Sequence, residues 1–151
     1  MFRTICVAAA LTSLLSCGQP TDCRNWTTYQ FFVTASVEDV AGCIAAGADV
    51  TMTDEDGGTA LHLAALGAQD PAVIEVLIGA GADAGARDKA ARTPLHWAAL
   101  INENPVIFAA LINAGADVNA RDVWGQTPLY QATLVSKNLA VMEVLIAAGA
   151  K

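Results

Sequence analysis

The sequence predicts an all-α solenoid, a stack of short helix-turn-helix units with loops projecting between them, on three observations. Thr59-Ala60-Leu61-His62-Leu63-Ala64-Ala65 returns 34 residues later as Thr93-Pro94-Leu95-His96-Trp97-Ala98-Ala99, and again as Thr127-Pro128-Leu129-Tyr130-Gln131-Ala132-Thr133. Gly47, Gly81, Gly115 and Gly149 step at the same interval, each followed by Ala. Hydrophobic residues make up 54% of the chain but aromatics only 6%. Much of that apolar fraction is Ala, which lets helices approach closely, and runs of strand-favouring residues are largely missing.

Each element follows from local chemistry. Thr59, Thr93 and Thr127 stand where a first helix begins, and a Thr hydroxyl there accepts from an orphan backbone N–H. Pro94 and Pro128 then occupy the first helical position, where a missing N–H is harmless. Asp70-Pro71 and Asn104-Pro105 repeat the device for the second helix, and Asn138 takes the matching place in the last unit. The second helices read Val73 to Ile78, Ile107 to Ile112 and Val141 to Ile146. Helices this short do not persist alone, so stacking on neighbours must hold them, with Ala64, Ala65, Ala98 and Ala99 admitting the adjoining unit. Gly81 and Gly115 are expected to end second helices in the left-handed region.

The Thr-Pro-Leu-His start recurring at this period resembles the signature of the ankyrin repeat. The resemblance covers roughly residues 26–150, with one extra residue per unit around Gly67–Asp70 and Ile101–Asn104. It implies an ankyrin-repeat solenoid over 26–151, divided into an atypical N-terminal cap at about 26–58 and repeats at about 59–92, 93–126 and 127–151. It also implies that the segments 49–58, 83–92 and 117–126 project as hairpin fingers. These fingers and the first helices would form a concave face that binds other proteins.

The cap departs from the repeat pattern. Ser36 with Asp39 makes a variant capping box, while the first helix reads Trp26 to Val33 with no Thr-Pro-Leu-His start. Trp26, Phe31 and Phe32 are expected to bury the outer edge of the stack, the competing reading being an exposed aromatic patch. After the last second helix no polar capping repeat follows, so its apolar flank is tolerated, covered by another molecule, or bared in a shortened product.

Residues 1–17 carry Arg3, an apolar run from Ile5 to Leu15 and then small residues, the order of a signal peptide; 18–25 form a short linker. The apolar run is too short for a permanent membrane helix. Leu14-Leu15-Ser16-Cys17 resembles the lipobox of bacterial lipoproteins, which makes Cys17 a lipidation candidate beside ordinary cleavage and release. The expected location is therefore periplasmic or secreted, with a membrane reached only through a lipid anchor. Export leaves Cys23 and Cys43 in the folded part, a disulfide pair in an oxidising compartment, whereas in the cytosol Cys43 reads as a buried thiol. A leader, a cysteine, a Trp-containing aromatic cap and a second cysteine are together similar to exported ankyrin proteins of alphaproteobacteria.

The 15 acidic and 8 basic residues leave a net charge of -7, so nucleic acid and anionic membranes meet repulsion instead of a steering field. His62 and His96 occupy identical repeat positions and are replaced by Tyr130 in the third unit, which assigns them to the fold. Two cysteines without nearby histidine partners do not make a zinc site, and no phosphate-binding glycine loop is present. Asp54-Glu55-Asp56 lacks the ligand spacing of a calcium loop and reads as a solvated finger tip. No enzyme activity and no cofactor are expected. The contact candidates are Trp97 and Trp124, as aromatic anchors, with the finger cations Arg87, Lys89 and Arg121. The implied partner is a protein in the periplasm, in the envelope or outside the cell.

Overall fold

In a computed structural model, residues 23–135 and 138–151 are described. The leader, Cys17 and most of the linker lie outside the described residues. A 3-10 turn at Cys23–Asn25 precedes α1 (Tyr29–Thr34) and α2 (Val37–Ala45). Then come α3 (Ala60–Gly67), α4 (Pro71–Gly79), α5 (Pro94–Ile101), α6 (Pro105–Asn113), α7 (Pro128–Val135) and α8 (Leu139–Ala147). The odd-numbered helices pack on one another in one row and the even-numbered helices in a second row behind it. Among the described residues, strand pairing is limited to an isolated bridge between Thr53 and Thr59.

The helix starts are built as their sequences direct. Asp70, Asn104 and Asn138 each accept the backbone N–H two residues on, at 2.9, 3.0 and 3.0 Å. Ser36 and Asp39 close a reciprocal capping box on α2. On α3 and α5 the box has His in the third helical position in place of an acid. At Thr127, where Tyr130 replaces His, the hydroxyl accepts from the Tyr130 N–H at 3.3 Å without a reciprocal side-chain partner at that position.

Gly47, Gly81, Gly115 and Gly149 end the second helices at φ between 93° and 98°, where a side chain is strained. Ala64, Ala65, Ala98 and Ala99 are fully buried between the odd helices. The even row contributes Val73, Ile74, Leu77, Ile107, Phe108 and Leu111, all within the same continuous core. Full burial of such side chains stabilises by roughly 1.5–3 kcal/mol each, which is how helices of 8 or 9 residues persist.

The cap closes the first end with aromatic rings. Trp26, Phe31 and Phe32 are buried, and their ring centroids lie 5.0 to 5.7 Å apart in tilted and edge-on pairs. Trp26 precedes α1 instead of beginning it, since the chain first turns through the 3-10 segment. Cys23 is disulfide-bonded to the buried Cys43 of α2, with their Cα atoms 5.5 Å apart. The bridge ties the segment before α1 to the second row.

Candidate protein contact surface

The fingers are made by a recurring carboxylate, buried at Asp88 and Asp122 and half-buried at Asp54, a device hidden in the sequence among charged runs. Oδ1 of Asp54 accepts from the N–H groups of Asp56 and Gly58, Asp88 from those of Ala90 and Arg92, and Asp122 from those of Trp124 and Gln126. Each finger closes when the Asp N–H donates to the carbonyl four residues on, at 2.9, 3.0 and 3.1 Å. Asp54 is therefore the framework of the first finger, while Glu55 and Asp56 remain exposed at its tip.

Neighbouring fingers are stitched together by the histidines. The Thr59 amide, which can only donate, lies 3.1 Å from Nδ1 of His62, so Nδ1 is the accepting nitrogen. Nε2 then carries the hydrogen and donates to the Arg92 carbonyl at 3.0 Å, thirty residues away. His96 repeats both bonds with Thr93 and the Gln126 carbonyl. Burial lowers the pKa of both imidazoles below the ordinary 6.5, against the opposing pull of those carbonyls. Neutral, fully buried and committed at both nitrogens, each histidine is a seam between units and is not free for general acid or base work.

The five contact candidates separate into different roles. Trp97 is only 7% exposed. Its indole N–H donates to Asp88 Oδ2 at 2.8 Å, its ring meets His62 edge-on, and the Arg92 guanidinium lies over it at 5.3 Å. Burial opposes the charge of Asp88, yet the N–H of Arg92, the Trp97 indole and the Arg92 guanidinium together hold its carboxyl below the usual range. The structure thus places Trp97 inside the joint between units, where it offers little surface. Gly58 leaves room for it, since a Cβ there would stand 2.7 Å from the ring.

The cations act mostly on backbone carbonyls. Lys89 Nζ donates to Glu55 O of the preceding finger at 2.6 Å, and Arg87 Nη1 donates to Arg121 O of the following one at 3.0 Å, each reaching 34 residues. Lys89 N–H to Asp56 O and Val123 N–H to Ala90 O, both 3.0 Å, reinforce the row. Arg121 turns back on its own finger and donates to Gly125 O at 2.8 Å. All three side chains remain on the exposed edge.

Trp124 is the outlier, 67% exposed on a finger whose backbone is fixed by Asp122 and by Gly125 at φ 75°. Beside it Tyr130, at the His position of the last unit, is 48% exposed because no further finger covers it among the described residues. Together with Arg121, Gln126, Thr127 and Lys151 they line an open groove of about 370 Å3. Sequence reasoning singled out Trp124 and Arg121 but missed Tyr130 and Lys151. The signal available was the break in the His series at Tyr130.

Paired helices stacked in two rows, with an edge of hairpin fingers and an aromatic groove at the third finger, define a repeat solenoid. A family model of ankyrin repeats in three copies matches residues 67–151. The chain belongs to the ankyrin repeat family, whose members are generally protein–protein interaction modules. A search of the curated proteins finds no match.

Proposed function

We propose that this chain is a non-catalytic protein-interaction module exported to the cell envelope, and that it holds its partner at the third finger through Trp124. The exposure of that ring carries the reading. A large aromatic held on a fixed turn loses little conformational freedom on docking, and such anchors supply much of the energy of protein interfaces. The commitment of His62 and His96 to seams supports the non-catalytic part. The apolar leader supports export, and the family supports a protein as partner.

Cross-linking and co-purification from the native cell envelope tests the site. Trp124→Ala should lower partner capture by about tenfold while the far-ultraviolet circular dichroism is unchanged, a loss of roughly 1.4 kcal/mol at one anchor. Undiminished capture would remove Trp124 from the interface.

A second reading, an envelope lipoprotein whose anchor matters more than its groove, is favoured by Leu14-Leu15-Ser16-Cys17. It requires a mature chain that begins at Cys17 and carries the added mass of a lipid. An intact mass without that increment, unchanged by Cys17→Ser, rules the anchor out.

A further inference from the structure

The side chains that line the groove at the third finger carry a charge opposite to that of the chain. Of the 15 acidic residues, none lines it, while two of the 8 basic residues do, Arg121 and Lys151. The carboxylate built into the same finger, Asp122, is buried, with Oδ1 taken by the Trp124 and Gln126 amides and Oδ2 by the Gln131 amide at 3.3 Å. Arg121 is held at the rim by its bond to the Gly125 carbonyl, which leaves the rest of its guanidinium for a ligand. The backbone of Lys151 is held by Asn119, whose Oδ1 accepts its N–H at 2.9 Å.

The aromatic half of the groove is Trp124 and Tyr130. A volume of about 370 Å3 sits at the small end of the range for ligand pockets, roughly 300–1,000 Å3, and suits one or two side chains. Two cations are too few for the track of phosphates that a nucleic acid presents. The net charge of -7 opposes a short anionic segment here less than it opposes an extended anionic surface, because at physiological salt charges more than about 8 Å away are largely screened.

We propose, resting on the interaction reading above, that the third-finger groove takes an acidic polypeptide segment of the partner. Its carboxylates meet Arg121 and Lys151, and an adjacent apolar or aromatic side chain packs on Trp124 and Tyr130.

The structure supplies its own reporter, since Trp26 and Trp97 are buried and Trp124 is exposed. Acrylamide, a neutral quencher, will therefore act mainly on Trp124 in the intact purified chain. A synthetic peptide alternating glutamate with phenylalanine should shield that fluorescence and shift it to shorter wavelength. Its apparent Kd should rise about tenfold in Lys151→Gln and in Arg121→Gln, and also on raising the salt from 0.05 to 0.5 M. Because Arg121 also braces its finger, Lys151→Gln is the deciding variant, with unchanged quenching of the free protein as the control for folding.

No shielding at millimolar peptide, or equal shielding by a lysine–phenylalanine peptide, overturns the proposal. So does shielding by phosphatidylglycerol vesicles but not by the acidic peptide, which would assign the groove to a membrane surface. If Trp124→Ala abolishes partner capture while the peptide fails to bind, the acidic chemistry falls and the contact site stands. If capture is indifferent to Trp124, the site itself falls.

Discussion

The two ends of the stack solve the same problem differently. At the first end, Trp26, Phe31 and Phe32 close over the outer side of the odd row, and the Cys23–Cys43 bridge holds the entering chain against α2. At the other end, α7 and α8 keep the pattern of an interior unit with nothing stacked on them among the described residues. Leu134, Val135, Leu139 and Ile146 are exposed there, Leu139 at 71%. Interior counterparts show what is uncovered: Ile74 and Phe108 are fully buried, whereas Met142 is only partly so. The first end is thus closed by residues that depart from the repeat, whereas the other keeps the repeat and leaves its apolar flank exposed among the described residues.

Breaking the closed end should have the largest effect. Phe32→Ala removes a fully buried ring from the cap and should cost about 3–5 kcal/mol in urea denaturation. A loss below about 1 kcal/mol would mean that the cap unfolds apart from the rest.

Between the ends, the seams at His62 and His96 should fail in acid. Both pKa values lie below the ordinary 6.5, so the unfolded chain binds protons that the folded chain refuses. The stabilisation is complete above that value and is lost as the pH falls below it toward the lowered folded values. Protonation would place a hydrogen on Nδ1 against the Thr59 or Thr93 amide. The urea midpoint should therefore drop between pH 7.5 and 5.5, and His96→Gln should flatten that dependence. The last unit has Tyr130 in place of this histidine and lacks the seam.

At the open end, Leu139→Gln should change stability by no more than about 0.5 kcal/mol, because a side chain 71% exposed has little packing to lose. A larger loss in the same denaturation experiment would show that this face is covered in solution.

Most of this architecture was legible because it is local and repeated. Threonine or Asn before a proline marks the helix starts, and the Gly-Ala pairs beginning at Gly47, Gly81, Gly115 and Gly149 mark the ends of the second helices. The aromatic cap was legible as an interruption of the pattern. What escaped were bonds whose acceptors have no sequence signature. Arg87 and Lys89 read as free cations on projecting loops, but their acceptors are main-chain carbonyls one unit away. Trp97 and Trp124 both read as contact candidates, Trp97 as the more packed of the two. Their difference rests on the space at Gly58, which the repeat period does not display, and on Asp88, which recurs as Asp54 and Asp122 but has an indole nine residues on only at Trp97.

The histidine seams have one more consequence. Each imidazole bonds a carbonyl of the following finger, at Arg92 and at Gln126, so the seam itself does not depend on which side chain stands at the accepting position. Excising residues 93–126 would join Arg92 to Thr127 and leave the acceptor of His62 in place; inserting a duplicate would do no more harm. Gene duplication could therefore lengthen or shorten such a molecule by whole units, and change what its surface offers, without any joint having to be redesigned.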